Sequence, residues 1–248
     1  MKLSVQLYTV RNLMDKDPVG TLRALGKIGL KHAEVAGYAG KSPKEFAAMM
    51  KDAGLKASGT HVGLDACEKE LNKVLDEADI LGTHYIIVPW VPDSAYADGW
   101  DRMGIRLQKI GEKVAKAKKM FCYHNHAFEF VDVKGVTGHE ILFDSMCPDH
   151  VHMQLDLWWA HVGKQDLPAM LEKYGERVDL VHLKDGLDDQ DGKQMPAGQG
   201  SIKWDPVIAA MNKAKVEYGV IEFDTCPGPE IDSVKASLDF FRSKGYKD

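Results

Sequence analysis

The sequence predicts a single closed barrel of the (β/α)8 type, eight parallel strands each followed by a helix. Three observations predict it. The chain has 248 residues, close to the ~250 residues typical of such barrels. Short β-rich runs alternate eight times with longer amphipathic stretches, at roughly 30 residues per repeat, as β/α units do. The run Tyr85 to Trp90 is apolar throughout, as a strand covered on both faces should be. No linker or composition shift interrupts residues 1–248, so one domain is expected. An open doubly wound sheet is the alternative, but it usually carries a glycine-rich turn after its first strand. Here Val10-Arg11-Asn12-Leu13 follows, without glycine.

The elements read in order. Leu3 to Thr9 is the first strand and Val19 to Ile28 a helix. Ala33 to Ala36 is the second strand. Ser42 is a good N-cap, with Pro43 at the first helical position and Glu45 three residues on; that helix should stop at Gly54. Lys56 to Val62 is the third strand, Glu68 to Leu81 a helix closed by Gly82, and Tyr85 to Trp90 the fourth strand. Trp100 to Lys119 is a long helix, Met120 to His126 the fifth strand, and 138–146 a short helix. Val151 to Trp158 is the sixth strand, with Leu167 to Tyr174 as its helix. Val178 to Lys184 is the seventh. A polar loop rich in Gly and Asp spans 186–203, long enough to serve as a lid. Pro206 to Lys213 is a helix, Gly219 to Phe223 the eighth strand, and Ile231 to Phe241 the last helix.

Hydrophobic residues make up 44% and charged residues 28% of the chain, ordinary for a folded soluble domain. The net charge of −5 and the lack of a basic stripe argue against duplex binding, which draws its affinity from phosphate neutralisation. Lys113, Lys116, Lys118 and Lys119 read as the wet end of a helix. The four cysteines form no C-x-x-C pair, so zinc knuckles and disulfides are not expected, and a reducing, cytoplasmic setting is. Cys122 reads as core. Neither a signal peptide nor a ~20-residue membrane span is visible. Homo-oligomerisation is left open.

Chemistry in such a barrel sits at the C-terminal ends of the strands. Strand three ends in Thr60-His61. Strand five ends in His124-Asn125-His126, with Glu129 beyond. Asp156, His182 and Glu222 each interrupt an apolar run on strands six, seven and eight. A buried carboxylate or imidazole needs a partner, and a divalent cation partners several at once. The proposed metal ligands are Glu129, Asp156, His182 and Glu222. This hard, thiolate-free set suits Mn²⁺, Mg²⁺, Co²⁺ or Zn²⁺. A lone buried Asp or His is more often a structural residue, so the joint placement carries the argument. His61, Trp90, His126 and Lys184 are expected to contact substrate. The pair Trp158-Trp159 is either core or substrate wall, with Trp158 taken as the wall residue. Lys184 either holds a substrate oxygen or only pairs with Asp185. His84 and His152 fall at strand beginnings; His32, His139 and His150 read as surface.

At these residues the sequence resembles the sugar phosphate isomerase/epimerase family, the xylose-isomerase-like TIM barrels. The carrying segments are Gln6 to Arg11, Tyr123-His124-Asn125-His126-Ala127-Phe128-Glu129-Phe130, Leu155-Asp156, Lys173 to Arg177, Val181-His182-Leu183-Lys184-Asp185, Gly198 to Ile202, and Val220 to Asp224. The resemblance implies one divalent metal held by Glu, Asp, His and Glu from strands five to eight. Asp156, His182 and Glu222 carry over cleanly. On strand five the family's Glu lies on the strand, so the ligand is Glu129 or His124, and Glu129 is preferred. The family's ketose epimerases also place a substrate-contacting His three residues after the strand-six Asp, where this chain has Trp159.

The implied activity is isomerisation or epimerisation of a small sugar, sugar phosphate or keto-sugar. A proton next to a carbonyl would be abstracted through a metal-stabilised enediolate, with Glu129, Glu222 or His124 handling the proton. The alternative is a dehydratase or lyase acting on a keto-inositol or 3-keto-glycoside. An endonuclease IV-like repair enzyme ranks below both, since it would need more metal ligands and a basic face.

Overall fold

The computed structural model describes residues 1–188 and 192–246. Eight parallel strands close into one barrel: β1 (Lys2–Gln6), β2 (His32–Val35), β3 (Lys56–His61), β4 (Tyr85–Val88), β5 (Met120–His124), β6 (His152–Asp156), β7 (Val178–Leu183) and β8 (Tyr218–Ile221). Each strand pairs with its sequence neighbours, and β1 closes the ring on β8. The principal helices are α1 (Pro18–Lys27), α2 (Pro43–Asp52), α3 (Leu71–Leu81), α4 (Trp100–Lys116), α5 (Gly138–Asp144), α6 (Leu167–Tyr174), α7 (Trp204–Ala214) and α8 (Glu230–Ser243). The predicted fold is the observed one.

Local chemistry explains most boundaries. Ser42 and Glu45 form a reciprocal capping box at the start of α2. Gly82 ends α3 in the left-handed conformation. Before α3, a separate helix spans Leu64–Lys69, so the predicted helix from Glu68 begins earlier and breaks at Glu70. Several strands are shorter than expected at their C-terminal ends. Pro89 has no N–H for the ladder, so β4 stops at Val88 and Trp90 stands on the rim. Asp156 ends β6 because its Oδ1 accepts from Trp159 N and caps a helix over Leu157–Val162.

Alternation along the strands divides two cores. Phe121, Tyr123, Met153, Leu155, Val181 and Leu183 face the helices. Cys122, Leu180, Tyr218 and Val220 face the barrel axis with Tyr85 and Ile87. Because side chains repeat every second residue, the next inward positions are His124, His182 and Glu222, one step nearer the mouth. Apolar packing therefore plugs the lower barrel and leaves its upper half polar.

His139 is a correction to the expected surface histidines. It is 1% exposed, packed 4.9 Å from Phe130 and 4.6 Å from Phe143. Burial pushes its pKa down from 6.5 to about 3. The folded state thus refuses a proton that the unfolded chain takes below about pH 6.5, so this stability is present above that pH and lost as pH falls toward 3. His139→Phe should remove the loss, about 2 kcal/mol at pH 5. The check is the pH dependence of the variant's melting temperature against wild type: parallel curves between pH 7 and 4.5 would refute it.

Lys119 likewise is buried rather than wet, donating to Thr83 O and pairing with Asp79. Among the described residues, no helix is long and apolar enough to cross a membrane.

Candidate active site

The ends of β5 to β8 bring together His124, Asp156, His182 and Glu222. One ligand atom from each lies within 4.8 Å of the others, and all four side chains are buried. His182 Nδ1 lies 2.6 Å from Glu222 Oε2 and 3.9 Å from Asp156 Oδ2, and His124 Nε2 lies 3.6 Å from Asp156 Oδ2. Lys184 sits beside them, 2.7 Å from Glu222, 3.1 Å from Asp156 and 3.0 Å from Asp224. It therefore pairs with these three carboxylates and not with its neighbour Asp185.

Glu129, the preferred strand-five ligand in the sequence, lies outside the group, and the alternative His124 takes the place. β5 ends at His124, and a 3-10 turn at Phe128–Phe130 folds Glu129 back toward the helix layer. There Glu129 accepts from Tyr123 OH at 2.8 Å and from His126 N at 2.8 Å. Burial raises its pKa to about 7 despite these bonds. Trp158 is the second correction. It is 1% exposed, stacked on His161 and pressed against the backbone at Gly186, where a Cβ would fall 2.5 Å from its ring. The helix capped by Asp156 turns Trp158 into the core and Trp159 toward the site, 5.7 Å from Lys184 Nζ and 5.8 Å from the His126 ring.

A cavity of about 410 Å³ opens above the group. His61, Trp90, His124, His126, Lys184 and Glu222 line it, together with Tyr8 and Asp224. The other four expected substrate contacts thus share one cavity, without Trp158. Trp90 is 54% exposed at its rim. His126 Nδ1 is buried without a hydrogen-bond partner. A groove of about 1010 Å³ lies at the opposite barrel end, between α6 and α7, away from this chemistry.

The electrostatics follow from burial against pairing. Burial drives the His182 pKa down, but Glu222 and Glu34 outweigh it and hold it up at about 10. Burial raises Asp156 to about 6, against the pull of Lys184 and His182. Burial also works to raise Glu222, yet Lys184 and His182 keep it well below the usual carboxylate range. Burial and the Lys184 charge lower His126 to about 4, leaving it neutral near pH 7.

Glu34 on β2 was not among the expected site residues, although it is fully buried in the barrel beneath His182. A signal existed: a carboxylate inside a strand covered on both faces is as anomalous as Asp156.

The polar loop after β7 folds back on the site as far as it is described; residues 189–191, part of the expected lid, lie outside the described residues. Asp185–Gly186 pairs antiparallel with Gln194–Met195. Gln194 Nε2 donates to Asp224 Oδ2 at 2.6 Å, and its Oε1 accepts from Asp224 N at 2.7 Å.

The donor set fits a divalent ion. Two imidazoles and two carboxylates converge, and Asp156 Oδ2 is buried with no hydrogen bond, its Lys184 neighbour being in ion-pair range only. Such a mixed N/O set suits Mn²⁺, Co²⁺ or Zn²⁺ better than Mg²⁺, which prefers oxygen.

Comparison with known proteins agrees with this architecture. A sugar phosphate isomerase/epimerase from Parabacteroides distasonis superposes with a TM-score of 0.85 at 23% identity, over 98% of this chain and 93% of the other. An L-ribulose 3-epimerase gives 0.71 at 12% identity, over 98% and 94%. The probable 3-DHS dehydratase AsbF from Bacillus anthracis gives 0.75 at 11%, over 98% and 99%. These identities speak to fold alone. No curated protein matches the chain in sequence. Residues 22–244 match the xylose isomerase-like TIM barrel family, so the chain belongs to that family.

Proposed function

We propose that this protein is a metal-dependent isomerase or epimerase that moves a proton next to the carbonyl of a small sugar or keto-sugar. The observation that carries the reading is the convergence of His124, Asp156, His182 and Glu222, two of which, His124 and Glu222, line a cavity with Trp90 at its rim. These four residues would hold the ion. When bound, it supplies Lewis-acid stabilisation of charge developing on the substrate carbonyl oxygen.

The chain's own groups do the rest. Trp90 offers an apolar face for a sugar ring, and Tyr8, backed by Arg11 at 4.0 Å, forms the facing rim. Glu222 is ionised and borders the cavity, so it can take the proton from the substrate carbon. His126 is neutral and its Nδ1 has no partner, so it can hand a proton to, or take one from, a substrate hydroxyl. β5 and β8 lie three places apart around the eight-stranded ring, which sets these two groups on different sides of the mouth. Lys184 holds Glu222 ionised and adds positive charge to the floor.

A second reading, elimination by a dehydratase or lyase, is favoured by one observation. The strand-five tip presents an imidazole, so the carboxylates at the floor do not flank the cavity from β5 and β8. One carboxylate base can take the α-proton while a neutral imidazole donates a hydrogen bond to the departing β-oxygen, which takes its proton from water as it leaves. Incubation with Mn²⁺ and a panel of keto-sugars and 3-keto-glycosides in D₂O separates the readings. Deuterium gained at the α-carbon with the substrate intact supports isomerase or epimerase action. Deuterium with loss of the β-group supports elimination. No exchange with any of them refutes proton transfer.

A further inference from the structure

Inside the barrel, one layer below the four-donor group, Glu34 gathers the far sides of the histidines. Its neighbours Ala33 and Val35 face the helices, so strand alternation turns it inward. A register shift between Ala33 and Glu34 sets it opposite Gly59 of β3. A Cβ at Gly59 would come within 3.1 Å of Glu34 Oε2 and 2.7 Å of Ile87 Cδ1. The carboxylate thus occupies space that the adjacent strand leaves open.

Four side chains converge on it from four strands. Gln6 Nε2 donates to Oε1 at 2.7 Å, and Gln154 Nε2 donates to Oε2 at 2.5 Å. His182 Nε2 lies 2.8 Å and His61 Nε2 2.9 Å from Oε1. Because Gln154 spends its amide N–H on Glu34, its Oε1 faces the other way. That oxygen lies 3.1 Å from His124 Nδ1 and 2.9 Å from His61 Nε2. The rings are consequently ordered: His61 stacks on His182 at 5.5 Å and 10°.

We propose that Glu34 is the positioning residue of the metal centre, fixing through direct and Gln154-relayed hydrogen bonds which nitrogen each histidine offers. With Nε2 of His182 committed to Glu34, Nδ1 is turned toward Asp156 and Glu222. With Nδ1 of His124 committed to Gln154, Nε2 is turned toward Asp156. An imidazole ligand whose other N–H is held by a carboxylate is fixed in tautomer and made more basic. The assignment rests on the metal-dependent reading above.

The test compares wild type with Glu34→Gln and Gln154→Met. Zn²⁺ and Mn²⁺ affinities are measured by chelator competition. The tautomers of His124 and His182 are read by ¹⁵N NMR of the zinc-loaded proteins, and folding by circular dichroism. Glu34→Gln should remain folded, bind both ions about 10–100-fold more weakly, and shift the Nε2–H signal of His182, since a neutral amide replaces the carboxylate that holds it. Gln154→Met should disturb the Nδ1–H signature of His124 and leave His182 as it was. It carries the test alone if Glu34→Gln fails to fold. Zn²⁺ affinity within twofold of wild type, with both tautomers unchanged, overturns the proposal while leaving the metal reading intact. Wild type that binds neither ion overturns the metal reading and this assignment with it.

Discussion

Glu222→Gln is expected to slow α-proton exchange by about 10³-fold while leaving the fold intact. The substitution keeps shape and volume but removes the charge that faces His182 at 2.6 Å and Lys184 at 2.7 Å. An amide cannot accept the substrate proton, and its NH₂ group could be turned against the Lys184 ammonium, a donor already in place. Sugar binding against Trp90 should change much less, so the loss falls on kcat more than on KM. Asp224→Asn is the control. Asp224 also touches Lys184, at 3.0 Å, but it is not among the converging donors, and its loss should cost roughly tenfold or less. NMR-detected exchange in D₂O measures both. Equal losses in the two variants would remove Glu222 from its special role.

Asp185→Ala should be the most destabilising single change near the site. Asp185 is 1% exposed. Its Oδ1 accepts from Gly186 N and Ile202 N, and its Oδ2 from Gly198 N, Gly200 N and Trp204 Nε1. Gly200 permits this convergence, since a Cβ there would fall 2.2 Å from Oδ1. Hydrogen bonds to a charged group contribute ~1.5–3 kcal/mol each and are not additive. Stranding five donors should therefore cost about 4 kcal/mol, or roughly 10 °C in melting temperature for a chain of this size. Asp185→Asn keeps one acceptor and should lose about half as much. Differential scanning calorimetry settles the matter. A shift under about 3 °C for the alanine variant would mean that water satisfies those donors.

The fold was legible because its signal is repeated: eight alternations of strand and helix, with stop residues such as Gly82 at expected places. The site was legible where a polar residue interrupts an apolar strand on the inward parity. Asp156, His182 and Glu222 all do so. Glu129 was preferred because the resemblance implies a Glu from strand five, but inward parity at the strand tip falls on His124. Cys122 and His124 share the inward side, whereas Glu129 follows a turn whose direction depends on Tyr123 OH and His126 N. Trp158 misled because nothing local shows that Asp156 caps a helix rather than continuing a strand. Glu34 was missed although its signal, a carboxylate inside a covered strand, was present: it lies one layer below the strand ends, where the chemistry of a barrel is expected. His139 looked exposed because two of its aromatic neighbours, Phe130 and Tyr174, come from other segments and only Phe143 shares its helix.

The most direct test is the metal content of the purified protein after incubation with Mn²⁺ or Zn²⁺, repeated on Asp156→Ala, His124→Ala and Glu129→Gln. The account calls for about one ion per chain in wild type and in Glu129→Gln, and for its loss in Asp156→Ala and His124→Ala. A metal-free wild type, or an ion kept by His124→Ala and lost from Glu129→Gln, would contradict it.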